Sequence, residues 1–163
     1  VQLFGMPQQV SADICILRDG GESDDAFEVT LHYAAITVKV GSSPFEAGPT
    51  LRYALQGTKG SYRKYHLDPQ EDQLKAGMSF NAPGWSVAPA PQHGTLYLED
   101  ESKPVATLNG GYTTFYRQLA TALITNNAEA LPASGQSVVA VIRLIELARL
   151  ASEQQQTLSV ECI

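Results

Sequence analysis

Basic residues are scarce in this sequence, and their scarcity excludes a large class of function. The chain has 11 Lys plus Arg against 17 Asp plus Glu, which gives a formal net charge of −6. Proteins that bind nucleic acid neutralise phosphates with clustered cations, and no basic run is present here. The same deficit argues against acidic membrane surfaces. We therefore expect neither nucleic acid nor a membrane among the partners.

Long apolar runs and closely spaced cysteines are also missing. No stretch approaches the roughly 20 apolar residues of a membrane-spanning helix, and no signal peptide is visible. Cys15 and Cys162 are far apart and lack metal-ligand spacing, and no helical His, Cys or carboxylate partner accompanies His32, His66 or His93. These features predict buried, reduced thiols, no metal site and a cytoplasmic location.

Motifs for known chemistry are absent as well. The sequence has no G-x-G-x-x-G after a strand and no G-x-S-x-G elbow. Residues 57–60, GTKG, lack the first glycine and the spacing of a phosphate-binding loop, and they predict a hairpin turn. The acidic residues in DPQED at 68–72 are more simply explained by an exposed loop edge than by catalysis. Motifs alone therefore assign no catalytic, cofactor-binding or metal-binding residue.

Alternation of apolar and polar residues predicts a series of short strands. They are residues 10–17, 27–33, 36–40, 51–56, 61–65, 95–99 and 105–108. Between the fifth and sixth, residues 66–93 lack periodicity and predict a long loop. Because strands come first and helices afterwards, the order predicts an α+β fold, with a mainly antiparallel open sheet and helices on one face. The length of 163 residues favours a single domain.

The last third of the chain predicts two helices and a terminal strand. Residues 115–123 carry a helical apolar stripe that stops at Asn126-Asn127, since Asn tolerates a left-handed cap. A second helix starts near Ser134-Gly135, and its apolar residues predict burial on more than one face. Residues 158–160 predict a short strand.

The first five residues resemble the last turn of a helix. Gly5 takes the place of a left-handed cap, and Pro7 prevents continuation. One turn is not a stable helix alone, because nucleation is costly. We therefore expect the rest of this helix to lie upstream and the chain to be a trimmed fragment.

Five passages together resemble the Gfo/Idh/MocA oxidoreductase family. They are FGMPQQVSA at 4–12, GPTLRYALQGTKGS at 48–61, LDPQE at 67–71, GYTTFY at 111–116 and VIRLIE at 141–146. Each passage is weak alone, but their order and spacing are fairly specific and cover nearly the whole chain. The sequence departs from the family pattern at Gly135, where helix formers are usual.

The resemblance implies an N-terminal Rossmann domain that binds NAD or NADP, absent here, and a C-terminal α+β domain that residues 1–163 form. It further implies hydride transfer between nicotinamide and a sugar, inositol or related polyol. The family's catalytic Glu-Lys-Pro and Asp-x-x-x-His motifs have no match in this chain, so no catalytic residue is carried over. This fragment alone is therefore expected to be inactive.

Two sites are candidates for contacts with partners. Polar residues on an open sheet face are expected to support a homo-oligomer: Thr30, His32, Thr37, Lys39 and Arg52. Tyr112, beside Gly110-Gly111, is the candidate substrate-binding residue, because its hydroxyl can bond a polyol while its ring packs on the sugar. Packing of the helix start is an alternative role for Tyr112.

Two other functions remain open from the sequence. A non-enzymatic sensor on the same fold would bind sugar and dinucleotide for regulation, and an unrelated α+β interaction domain would bind neither. Glu-Lys-Pro and Asp-x-x-x-His motifs in an upstream segment would favour the enzyme, and their loss would favour the sensor.

Overall fold

The computed structural model describes residues 1–160 and divides the chain into two compact units. The first unit joins Val1–Glu46 to the chain from residue 133 onward, and the second unit is Ala47–Pro132. The strands are β1 Gln9–Cys15, β2 Ala26–His32, β3 Thr37–Ser42, β4 Tyr53–Gly57, β5 Gly60–Lys64, β6 Gly94–Tyr97, β7 Ser102–Val105 and β8 Leu158–Ser159. The helices are α1 Gln70–Lys75, α2 Tyr112–Thr125 and α3 Gly135–Gln154.

The first unit is an antiparallel sheet covered by α3. Its strand order is β3-β2-β1-β8, so the predicted terminal strand is confirmed at the edge of this sheet. Val10 lies opposite Leu31 on one side and Leu158 on the other, which places all three on the same face. Together with Leu144 and Ala148 of α3, Val10 and Leu31 form the buried core.

One face of α3 is buried, and this corrects the prediction of burial on several faces. Its buried residues are Leu144, Ala148, Ala151 and Ser152, spaced as one helical stripe. Leu150, on another side, remains 41% exposed. The reason is that the first unit offers α3 a single sheet to pack against. The cap at Ser134 is confirmed: its Oγ accepts a hydrogen bond from the Ser137 N–H at 3.1 Å.

The start of the chain is a turn held against β2. The Gly5 N–H donates to the Val1 carbonyl at 2.7 Å, and Gly5 has the predicted left-handed conformation with φ of 72°. The Tyr33 hydroxyl donates to the Gly5 carbonyl at 3.1 Å. Phe4 packs edge-on against the Tyr33 ring, with ring centroids 6.1 Å apart.

The second unit contains an antiparallel meander, β4-β5-β6-β7. The predicted hairpin turn is confirmed, since Gly57 pairs with Gly60. The predicted last strand at 105–108 is wrong: β7 comes earlier because the Leu98 N–H donates to the Glu101 carbonyl and closes a tighter turn. Pro104 is tolerated in β7 because this is an edge strand, which can lack one N–H donor.

The predicted long loop contains short helices. α1 lies within it, and a 3-10 helix follows at Ala90–Gln92. Neither is long enough to show a helical period in the sequence, which explains why residues 66–93 predict only a loop. α2 ends as predicted at Asn126, which is left-handed.

The predicted α+β class and antiparallel pairing are confirmed. The strands form two four-stranded sheets, one in each unit. Alternation of apolar and polar residues identifies strands, but it does not indicate which sheet each strand joins.

Candidate functional site

Tyr112 is the first residue of α2 and is 48% exposed. Within the second unit, its hydroxyl makes no hydrogen bond, whereas its backbone N–H donates to Gln70 Oε1 at 3.0 Å. A half-exposed phenol can offer its ring and its hydroxyl to a ligand together. The structure thus keeps Tyr112 available for the predicted substrate contact.

The glycines before Tyr112 allow the backbone to approach a neighbouring loop. A Cβ at Gly110 would collide with Asp68 Oδ2 and Gln70 Nε2. A Cβ at Gly111 would come within 3.0 Å of Thr114 Oγ1. The Gly110 backbone therefore lies in close contact with the Asp68–Gln70 loop.

Gln70 is a site residue that the sequence does not reveal. It is 2% exposed, and its Nε2 donates to Asp68 Oδ1 at 2.8 Å while its Oε1 accepts from Tyr112. The backbone N–H of Gln70 also donates to Asp68 Oδ1, at 2.9 Å. In the sequence Gln70 stands among acidic loop residues, and only the turn-forming Asp68-Pro69 pair signals local order.

Lys64 is a second buried polar residue that sequence patterns do not reveal. Its Nζ donates to the Gln92 carbonyl at 2.8 Å and to Thr107 Oγ1 at 3.0 Å. Thr107 lies between β7 and α2, so Lys64 joins β5 to the segment that leads into the candidate site. The available signal is its alternation with Tyr62 in β5, which puts both side chains on the same face.

The predicted polar sheet face exists in the first unit. Thr30 pairs with Lys39, and His32 pairs with Thr37, so these four residues share one face. Its polar side chains bond one another: Lys39 Nζ lies 2.7 Å from Glu28 Oε1, and His32 Nε2 lies 3.2 Å from Ser11 Oγ.

The prediction that Arg52 shares this face is wrong. Arg52 precedes β4 in the second unit, where its backbone N–H donates to the Lys64 carbonyl. The alternation of residues 51–56 is real, but β4 belongs to the other sheet.

Cysteine and histidine show no metal-binding arrangement among residues 1–160. Cys15 is exposed, which corrects its predicted burial, and Cys162 lies outside the described residues. Cys15 alternates with the core residue Val10 along β1, so it lies with Ser11 and Asp13 on the opposite, polar face of the sheet. The His93 ring is used elsewhere: its Nε2 lies 3.2 Å from the Ala88 carbonyl.

The shifted carboxyl groups belong to two ion pairs: Glu71–Lys75 is exposed on both sides, whereas the Asp25 side chain is only 5% exposed beside an exposed Arg18. A hydrogen bond from the Arg18 side chain, aided by the Leu17 N–H, lowers the pKa of Asp25. A hydrogen bond from Lys75 lowers the pKa of Glu71, and the same contact raises the pKa of Lys75. Hydrogen bonding within each pair explains both shifts, and the acidic run at 68–72 contributes a local turn, in which Asp68 accepts from Gln70, and the Glu71–Lys75 pair of α1.

The fold belongs to a class with antiparallel sheets and no parallel βαβ unit among the described residues. A dinucleotide-binding Rossmann domain requires that parallel unit. No described helix is long and apolar enough to cross a membrane.

Comparison with known proteins identifies the chain. Residues 2–161 match the family model described as "Oxidoreductase family, C-terminal alpha/beta domain". The chain is 32% identical over 167 residues to scyllo-inositol 2-dehydrogenase (NADP(+)) of Bacillus subtilis (strain 168), with 99% of this chain and 46% of that protein covered. This chain belongs to the Gfo/Idh/MocA oxidoreductase family, of which it represents the C-terminal domain.

Solved structures share the fold. Bacillus subtilis YvaA superposes with a TM-score of 0.90 at 30% identity, over 98% of this chain and 47% of that one. An oxidoreductase from Bacillus cereus gives a TM-score of 0.83 at 26% identity, over 98% of this chain and 48% of that one. The chain thus spans about half the length of the relatives that it matches.

Proposed function

We propose that this chain is the C-terminal domain of an NAD(P)-dependent oxidoreductase that moves hydride between nicotinamide and a sugar, inositol or related polyol. The observation that carries the proposal is the 32% identity, over 99% of the chain, to a scyllo-inositol 2-dehydrogenase that uses NADP(+). An N-terminal Rossmann domain would bind the nucleotide, and this domain would form a wall of the substrate pocket.

Tyr112 is the proposed substrate-binding residue of this domain. Its hydroxyl is free to bond a substrate hydroxyl, and its exposed ring can pack against the apolar face of a polyol. Hydride transfer also needs a group that moves the hydroxyl proton, and we assign that step to residues outside this chain.

The full-length protein tests this function directly. Purified protein is mixed with scyllo-inositol, myo-inositol or glucose and with NAD or NADP, and the absorbance of reduced nicotinamide is followed. Turnover of a polyol supports the proposal. Tight binding of sugar and nucleotide without turnover would contradict it and favour a sensor.

The isolated chain should bind neither NADH nor NADPH tightly, because it lacks the glycine fingerprint that holds a pyrophosphate. Fluorescence titration of the chain with each nucleotide measures this. Micromolar affinity for either one would contradict the proposed division between the two domains.

We also propose that the full-length protein self-associates through the polar face of the first unit. Thr30, His32 and Lys39 lie on the sheet face opposite the buried core residues Val10 and Leu31. A two-fold contact would bring this face against its own copy. Sedimentation of full-length protein over a range of concentrations tests the contact, and a strict monomer would contradict it.

A further inference from the structure

Tyr112 is held through its backbone by a side chain far away in the sequence. Gln70 Oε1 accepts the Tyr112 N–H from 42 residues earlier in the chain. The N-cap residue Gly111 has no side chain, and no side-chain cap is made at that position. Gln70 therefore performs the capping that the local sequence of α2 cannot provide.

The amide of Gln70 has one consistent orientation. Gln70 Nε2 donates to Asp68 Oδ1 at 2.8 Å, since an amide nitrogen donates and a carboxyl oxygen accepts. The remaining amide oxygen then faces the Tyr112 N–H. Because the side chain is also 2% exposed, it has little freedom to rotate.

Apart from this hydrogen bond, few contacts fix the position of the start of α2. Ala122, in the fourth turn of α2, is its buried residue. The Gly110 backbone packs directly on Asp68 and Gln70, which leaves no space for a side chain there. The start of α2 thus contacts the Asp68–Gln70 loop at two places, the Gly110 backbone and the Tyr112 N–H.

We propose that Gln70 is a positioning residue for substrate contact by Tyr112, an inference that rests on the proposed function. Gln70 does not touch the substrate. It fixes the first backbone N–H of α2, and thereby the place where the Tyr112 side chain begins. A displacement of about 1 Å in a positioned group can lower the rate about 100-fold.

Gln73 provides a matched control within α1. Its Oε1 accepts from the Ser86 N–H at 2.8 Å, and its Nε2 donates to the Gly84 carbonyl at 3.2 Å. Gln70→Met and Gln73→Met thus remove the same amide group, and each loses one hydrogen bond accepted from a backbone N–H and one donated hydrogen bond, to a carboxyl oxygen for Gln70 and to a carbonyl for Gln73. Only the first variant removes a bond to Tyr112.

The experiment uses full-length protein and two measurements. Gln70→Met should lower kcat/KM about 10- to 100-fold, whereas Gln73→Met should leave it near the wild-type value. Hydrogen exchange followed by mass spectrometry should show roughly tenfold faster exchange in the peptide that contains Tyr112, in the Gln70 variant alone. Equal kcat/KM in the two variants, or unchanged exchange at Tyr112, would overturn the inference.

Gln70→Glu adds a readout that loss of packing would not produce. A protonated carboxyl group can accept from Tyr112 and donate to Asp68, as the amide does, whereas an ionised one would repel Asp68. The kcat/KM of this variant, relative to wild type, should therefore recover as the pH falls. A ratio that stays low at every pH, including the lowest, would contradict the hydrogen-bond role.

The outcomes also separate this inference from the proposed function. Absence of polyol turnover in the wild-type protein would overturn the function and with it the role given to Gln70. Wild-type turnover that Gln70→Met leaves unchanged would overturn the positioning role alone.

Discussion

The first unit buries mainly apolar side chains between a sheet and a long helix, with Ser152 as a buried polar residue, whereas the second unit buries several polar side chains that join its loops. In the first unit the buried core is Val10, Leu31, Leu144 and Ala148. The buried residues of the second unit include Lys64, Gln70 and Ser86, with Ala88 and Ala122.

The two kinds of burial differ in what they require. An apolar side chain gains stability from any well-packed neighbour, whereas a buried polar group must meet a specific donor or acceptor. Each polar residue of the second unit meets one: Lys64 at the Gln92 carbonyl, Gln70 at Asp68 and Tyr112, and the Ser86 backbone at Gln73. Specific hydrogen bonds therefore fix the positions of the residues around Tyr112 more tightly than the small buried apolar surface of the second unit would suggest.

Leu144→Ala should produce the largest effect, in the first unit. Loss of this buried side chain from between α3 and the sheet should lower the free energy of unfolding by about 2–5 kcal/mol. Leu150→Ala in the same helix is the matched control, because Leu150 is far more exposed and should lose less. Urea denaturation followed by circular dichroism measures both. If the two variants lost the same free energy of unfolding, Leu144 would not belong to the buried core that the contacts define.

Lys64→Met tests the polar half of the comparison. The change leaves the Gln92 carbonyl without its buried donor, at a cost of about 1–3 kcal/mol in the free energy of unfolding. Trp85, the single tryptophan, lies in the second unit and reports its unfolding by fluorescence.

Lys103→Met is the control for that prediction. Lys103 lies on the edge strand β7, is exposed, and has only a 3.8 Å contact with Glu101, so its loss should cost less than about 0.5 kcal/mol. Similar losses for the two lysine variants would contradict the idea that buried polar contacts hold the second unit together.

The same difference explains what the sequence could predict. Val10, Leu31 and the stripe of α3 recur at strand and helix periods, so the elements of the first unit follow from pattern. The links made by Lys64 and Gln70 join residues far apart in the chain, and no local period marks such pairs. The division of the strands between two sheets is likewise not indicated by alternation, since pairing partners are set by tertiary contacts.

The candidate site was predictable only in part. Tyr112 is marked by the glycines before it and by its place at a helix start, and the structure places the Gly110 backbone in close contact with a neighbouring loop. Asp68 and Gln70, which the Gly110 backbone contacts, lie in a region whose composition indicates only a loop. A buried glutamine in an acidic, turn-rich segment has no sequence signature that separates it from an exposed one.

Tyr112→Phe should produce the smallest effect, and the most specific one. In full-length protein, loss of one neutral hydrogen bond to a polyol should weaken kcat/KM by about 0.5–1.5 kcal/mol in transition-state free energy. The melting temperature should change little, because the hydroxyl bonds nothing within the second unit and the ring is retained. Tyr116→Phe, one turn further along α2 and 67% exposed, is the matched control and should leave kcat/KM unchanged. Unchanged kinetics for Tyr112→Phe on a verified substrate would leave this tyrosine with a structural role alone, and equal losses in both variants would place the substrate along α2 rather than at its start.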